Sequence, residues 1–281
     1  MRRTLAVILA LLTCWSLGAG PAGADTPDAP VLNDWDCRPS AAHPRPVVLV
    51  HGTAGAPEDW QTIIPLLADQ GYCVFALTYG TVEVVPGVPL NALGSIEDSA
   101  AELATFVAQV RRETGAKKVD LVGHSQGTMM PDYYARFLGG GTSVQNYVSL
   151  APLWHGTLAL MPVQLLTSLL GLPDGALLNC PACGQMAPGS AFMEKMRGGT
   201  GVKVPGITYT NIMTRYDEAV LPYTSGFEPG MTNVVLQDVC PLDFSEHGRL
   251  PRSPNVGQLV LNALDPAHAT SVRCQLVLPL S

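Results

Sequence analysis

An apolar run, Val119-Asp120-Leu121-Val122, leads without a break into Gly123-His124-Ser125-Gln126-Gly127. A G-x-S-x-G pentapeptide of this kind forms a tight turn between a strand and a helix. The turn holds its serine in a strained backbone conformation and exposes the hydroxyl at the end of a sheet. Such a turn can form only with a strand before it and a helix after it. Both are predicted here, a strand over Lys118–Gly123 and a helix over Thr128–Leu138. An isolated G-x-S-x-G occurs by chance and reads as an ordinary serine in a glycine-rich loop. The strand and helix around this one make Ser125 a candidate nucleophile.

The rest of the chain repeats the same alternation. Pro46–Val50 is continuously apolar and rich in valine, as in a strand buried on both faces of a parallel sheet. A glycine-rich turn, His51–Gly55, follows it, then a helix pattern over Glu58–Gln70 that Gly71 ends. Tyr72–Thr78 reads as a strand. Ser95–Thr114 reads as a helix, capped by Ser95 with Asp98 three residues on and with Ile96, Leu103, Phe106, Val107 and Val110 facing inward. Val144–Ala151 is a further strand, and the rhythm returns over Gly206–Met213, Asn233–Val239 and Val256–Leu264. Strands alternating with amphipathic helices predict one α/β domain, a mostly parallel sheet with helices on both faces. The exception is Pro152–Arg197, rich in Leu, Pro, Met and Gly, which we read as an inserted apolar cap. Its residues Trp154, Leu158, Leu160, Met161, Leu165 and Leu166 are candidates for an acyl groove. The plainer reading of the same residues is packing within a cap helix.

The N-terminus has the pattern of an export signal. Arg2 and Arg3 precede an apolar stretch, Leu5–Leu17, and Ala22-Gly23-Ala24 predicts cleavage after Ala24. The apolar run is short for a membrane span, and Thr13 is a poor neighbour for a lipidated Cys14. Residues 25–281 would then form the single folded domain of a secreted protein. Six cysteines stand beyond the signal: Cys37, Cys73, Cys180, Cys183, Cys240 and Cys274. An even number in an oxidising compartment reads as disulfides, although the count alone leaves the pairing open. Cys180-Pro-Ala-Cys183 has no second Cys-x-x-Cys or histidine pattern to make a metal site. The net charge of −7 without a basic run gives no basis for nucleic-acid binding. We expect no metal, no cofactor and a monomer.

A serine hydroxyl needs a base to become a nucleophile. Six histidines lie beyond the signal: His43, His51, His124, His155, His247 and His268. His247, in Ser245-Glu246-His247-Gly248, follows the last strand candidate and precedes a helix. That places it at the carboxyl edge of the sheet, where Ser125 is expected. His51 and His124 read as structural neighbours of the site. The base in turn needs an orienting acid, which in this order of elements lies between the serine and the histidine. Asp217 follows the Gly206–Met213 strand and is the first candidate, with Glu218 and Asp243 its rivals. An oxyanion formed at the site needs fixed N–H donors. The backbone N–H of Gln126 is one candidate. Thr53, after the His51-Gly52 turn, is the other, with its hydroxyl as a possible additional donor.

With these residues assembled, the chain resembles the secreted class 2 bacterial lipases of actinobacterial type. It is also similar to the fungal lipase B type. The matching stretches are VVLVHGTAG, LVGHSQG, SLAPLWHGT, RYDEAVLPY and SEHGRLPRSPNVGQLVLNAL, from about Val47 to Cys274. The resemblance implies an α/β-hydrolase fold, a lipid or other ester as substrate, and action at a lipid–water interface. It implies Ser125, His247 and Asp217 as the catalytic set, and the disulfides Cys37–Cys73 and Cys240–Cys274, which leaves Cys180 to pair with Cys183. The Pro152–Arg197 cap has no close counterpart. Acyl transfer to an acceptor other than water and cleavage of an aliphatic polyester are alternative reactions for the same residues. A non-catalytic, hydrolase-like binding protein is the alternative of another class, and a complete Ser, His and Asp set argues against it.

Overall fold

The computed structural model describes residues 32–279, with 174 and 200 left aside. The export signal and its Ala24 cleavage site lie outside the described residues. Among the described residues, eight strands and eight α-helices follow in chain order. They are β1 (Val47–Val50), α1 (Ile63–Asp69), β2 (Val74–Ala76), β3 (Val82–Val85), β4 (Val88–Leu90), α2 (Ile96–Thr114), β5 (Val119–His124) and α3 (Gln126–Phe137). Then come β6 (Val144–Leu150), α4 (Met161–Leu169), α5 (Pro181–Gln185), α6 (Ala191–Arg197), β7 (Thr208–Met213), β8 (Thr232–Val235), α7 (Leu236–Val239) and α8 (Pro254–Leu264).

Six strands form one sheet in the order β2-β1-β5-β6-β7-β8, every neighbouring pair parallel. The apolar runs read as buried strands, β1 and β5, are buried along their whole length. From β1 the chain moves through α1 to β2 at one edge. From β5 it moves through α3 to β6 in the opposite direction. Right-handed crossovers therefore put α1 and α3 on opposite faces of the sheet. Helix α2 packs on α3, and α8 packs on α1, so each face carries a helix pair. The reversal lies between β1 and β5. A crevice opens at the carboxyl ends of strands at such a point, and Thr53 and Ser125 come from the two loops that leave these strands.

Several boundaries differ from the sequence pattern. Glu58–Gln70 is not one helix: a 3-10 turn over Pro57–Trp60 is followed by α1. The cause is Pro65. A proline ring clashes with the carbonyl four residues back, so it fits only the first turn of a helix, and α1 starts afresh at Ile63. Asn233–Val239 divides into β8 and α7. Helix α3 carries Pro131 in its interior. The carbonyl that Pro131 leaves without an amide partner is that of Gly127. The buried hydroxyl of Tyr147 lies 3.4 Å from it and donates more closely to the carbonyl of Thr128, at 2.5 Å. Sequence patterning passed over the exposed hairpin of β3 and β4.

Between β6 and β7 the cap is helical, made of α4, α5, α6 and short 3-10 turns. The arm before β1 is joined to the body by Cys37–Cys73, and Trp35 packs on Phe75 and Phe106 with ring centroids 5.1 and 5.8 Å apart. Cys180 is joined to Cys183, and Cys240 to Cys274. These are the three pairs that the resemblance implied.

Candidate active site

The turn after β5 has the strain its glycines predict. Ser125 has φ 55° and ψ −125°, a conformation costly for a side-chain-bearing residue. It is held there by its N–H donating to Leu150 O (2.9 Å) and by its carbonyl accepting from Thr128 N–H and Oγ1–H at 2.8 and 2.7 Å. The flanking glycines are a steric requirement. A Cβ on Gly123 would stand 1.9 Å from the Gly127 carbonyl oxygen, and one on Gly127 would stand 2.2 Å from that of Val50. The elbow thus brings β5, α3 and β1 closer together than any side chain would permit.

Ser125, His124, His247 and Gly248 line one cavity of about 350 Å3 together with Gly52 and Thr53. The cavity's other walls are mostly apolar: Leu153, Leu160 and Met186 from the cap, and Ala219 and Val220 from the loop after β7, with Thr157 among them. His247 opens a 3-10 turn, His247–Arg252, that leads into α8. Its Nδ1 lies 2.9 Å from Asp217 Oδ1 and 3.1 Å from Oδ2. A carboxylate only accepts, so Nδ1 carries the hydrogen and Nε2 is left as the basic nitrogen. Asp217 is itself fixed, its Oδ1 accepting from the backbone N–H groups of Ala219 (3.0 Å) and Val220 (2.7 Å).

The rival acids have other partners. Glu218 Oε2 accepts from the backbone N–H of His247 at 3.1 Å, so it holds the main chain of that residue and not the ring. Asp243 is fully buried and accepts from Ser245 N–H, Ser245 Oγ–H, Ser253 Oγ–H and Asn255 Nδ2–H. It ties together the two ends of the segment that carries His247.

Two histidines read as neighbours of the site support its backbone. His124 Nε2–H donates to the carbonyl of His247 at 3.0 Å, with ring centroids 4.7 Å apart. Burial, reinforced by the nearby His247, holds the His124 imidazole well below its usual pKa and hence uncharged. His51 stacks on Tyr79, whose hydroxyl donates to His51 O at 2.6 Å. Its own Nδ1–H donates to Gly52 O at 2.9 Å, and burial lowers its pKa as well. Nothing in the sequence signals that His124 meets the carbonyl of a residue so far along the chain.

As the first residue of α3, Gln126 has a backbone N–H without an intrahelical acceptor. Thr53 lines the cavity, but its hydroxyl donates to Gln126 Oε1 at 2.8 Å. The hydroxyl expected as an additional oxyanion donor is therefore already engaged, which leaves Thr53 its main-chain N–H. The expected acyl-groove residues separate. Leu160 lines the cavity. Trp154 does not: it is 0% exposed and its Nε1–H donates to Asn211 Oδ1 at 3.1 Å, an indole buried with its polar atom satisfied. Leu158, Met161, Leu165 and Leu166 do not line it either. They lie on the outside of the cap, where Leu165 is 60% exposed. A short helix turns only one side inward, and on α4 that side carries Val163 and Thr167.

The sequence model of the lipase (class 2) family matches residues 44–260. The chain belongs to the class 2 lipase family. Among solved structures, this class 2 lipase family member is similar to Aspergillus fumigatus lipase B, with a TM-score of 0.61 at 20% identity over 81% of this chain and 53% of that one. It is also similar to the Bacillus licheniformis lipase BlEst2. In propeptide form that protein gives a TM-score of 0.57 at 18% identity over 87% of this chain and 54% of that one. In mature form it gives 0.53 at 18% over 70% and 85%. The fold they share is the α/β-hydrolase fold. This chain spans about half the length of the fungal lipase B it matches.

Proposed function

We propose that this protein is a secreted serine hydrolase of carboxylic esters, a lipase or esterase working through Ser125, His247 and Asp217. The observation that carries the reading is the Asp217–His247 bond at 2.9 Å, with His247 lining the same cavity as a backbone-strained Ser125. His247 Nε2 takes the Ser125 proton as Oγ attacks the ester carbonyl. The carbonyl oxygen becomes an oxyanion, which the backbone N–H groups of Thr53 and Gln126 receive. His247 returns the proton to the leaving alcohol, and an acyl-enzyme forms on Ser125. Water, deprotonated by His247, then attacks the acyl carbon; the bond to Ser125 Oγ breaks, His247 returns the proton to Oγ, and the carboxylic acid leaves. Asp217 keeps the imidazole in the correct tautomer and stabilises the imidazolium.

The substrate is a lipid or another ester with an apolar acyl part, as the apolar walls of the cavity favour. The leucines outside the cap favour work at a lipid–water interface, since Leu158, Leu165, Leu166 and Leu169 are all exposed, Leu169 by 76%. Three disulfides favour an oxidising compartment and hence export. The test is turnover of p-nitrophenyl esters by the wild type and by Ser125→Ala, with a phosphonate inhibitor to label the nucleophile. Loss of turnover in the variant, with the wild-type label on Ser125, is the expected result. Equal turnover in both preparations would refute the assignment, and no turnover in either would favour a binding protein.

A further inference from the structure

The cavity over Ser125 shares two of its lining residues, Leu160 and Cys183, with a second and much smaller void. The smaller one, about 10 Å3, is lined on its other sides by Val163, Gly175, Leu178 and Gly184. A space of that size is at the lower limit for a single water. Leu160 and Cys183 are thus a thin partition, with the catalytic serine on one side and an unfilled apolar gap on the other.

The two halves of the partition differ in stiffness. Cys183 is bonded to Cys180, and Cys180 N–H donates to Gly175 O at 3.1 Å. Gly175 lies so close that a Cβ on it would stand 2.0 Å from the Cys180 carbonyl oxygen. Helix α5 is tied to the body of the protein by Ala182 N–H donating to Leu93 O (3.2 Å) and Ile96 N–H donating to Gln185 Oε1 (2.7 Å). A disulfide between residues three apart closes so short a loop that it restrains the unfolded chain little, so its main effect is local. Leu160, by contrast, is a half-buried side chain ending a three-residue 3-10 turn, Leu158–Leu160.

We propose that Leu160 and the Cys180–Cys183 disulfide form the end wall of the acyl site and restrict the enzyme to esters of short and medium-length fatty acids. The inference rests on the ester-hydrolase reading and names the substrate class of that site. At roughly 30 Å3 per water-sized group, a cavity of about 350 Å3 takes on the order of a dozen non-hydrogen atoms. An ester group and an acyl chain of about eight carbons fill that space. A longer chain meets Leu160 and the disulfide, and its remaining methylenes stay in water. The Cys-x-x-Cys pair then has a use that needs neither metal nor redox turnover: it keeps the wall from yielding.

The experiment is kcat/KM for p-nitrophenyl esters from about two to about sixteen acyl carbons, all below their aggregation limits, with the disulfides intact. The wild type should be fastest at or below about eight carbons. Leu160→Ala joins the two spaces. Each methylene newly taken in adds roughly fourfold, so the ratio of about twelve-carbon to about four-carbon rates should rise at least tenfold. Leu160→Phe should act the other way and lower the eight-to-four ratio by a similar factor, a pair of opposite shifts that simple destabilisation does not produce. If Leu160→Ala fails to fold, Leu160→Phe decides alone. A wild-type optimum near sixteen carbons, or a profile that neither variant moves, overturns the wall and leaves the hydrolase reading intact. Turnover that survives Ser125→Ala overturns the hydrolase reading instead.

Discussion

Replacing Asp217 by asparagine separates the orienting role proposed for this residue from its place in the fold. Asp217 Oδ1 accepts from two backbone N–H groups, those of Ala219 and Val220. In Asp217→Asn only the amide oxygen can continue to accept there, so the side chain has one stable orientation. Its NH2 then takes the place of Oδ2, which lies 3.1 Å from His247 Nδ1. A donor now faces Nδ1 as well, which favours the tautomer in which Nδ1 accepts and Nε2 carries the proton. In that tautomer the imidazole has no lone pair with which to take the Ser125 proton. The same change in a serine-protease triad costs about 10⁴-fold in kcat, or about 5.4 kcal/mol at roughly 1.36 kcal/mol per tenfold. Here Oδ1 also lies 2.9 Å from Nδ1 and still offers the correct tautomer a partner, so we expect a loss of about 10²- to 10⁴-fold. The assay is pre-steady-state release of p-nitrophenol, where the acylation rate reads proton abstraction from Ser125 directly, with thermal unfolding to verify the fold. Glu218→Gln keeps an acceptor for the His247 N–H and should cost less than about threefold. An Asp217→Asn rate within about tenfold of wild type, or an equal loss in Glu218→Gln, would refute this account of the site.

Two further outcomes follow from neighbouring residues. His124→Leu removes the donor to the His247 carbonyl and should lower kcat about tenfold, the worth of one buried hydrogen bond, while KM changes little. His124→Gln, which retains an N–H, should recover most of the loss; equal losses in both would make the effect one of packing alone. Within α3, burial pushes the Asp132 carboxyl up to about 8, well above the value of about 3.9 in an unfolded chain. The folded state thus keeps a proton that the unfolded chain releases. The stability from this source is complete below about pH 4 and is lost as pH rises towards 8. Asp132→Asn should therefore gain stability relative to wild type between about pH 5 and pH 9, measured as the difference in Tm; a constant difference would contradict a protonated Asp132.

Much of the fold was legible because its signals are local. Valine-rich runs are buried at β1 and β5, Ser95 caps α2 by accepting from the Asp98 N–H, and Gly115 ends that helix with φ 72°. The misreadings have local causes of another kind. Pro65 restarts a helix that hydrophobic spacing joined, and the β3–β4 hairpin is made of strands of only four and three residues, the second exposed throughout and carrying a proline. In the candidate site, chain order and local context put Asp217 and His247 forward. The structure brings them to 2.9 Å and gives Glu218 and Asp243 different partners.

By itself, the sequence determined the α/β alternation, the cramped serine turn and the short list of groups able to serve it. These depend on backbone sterics and periodicity over a few residues, which a string of side chains records. Tertiary structure alone decided that His124 meets the main chain of His247, that the Thr53 hydroxyl is held by Gln126, and that Trp154 is core while Leu160 faces the serine. Those outcomes depend on which surfaces meet once the strand order reverses between β1 and β5. An apolar residue is equally apolar on either side of a cap helix, and only the packed chain selects the side that faces Ser125.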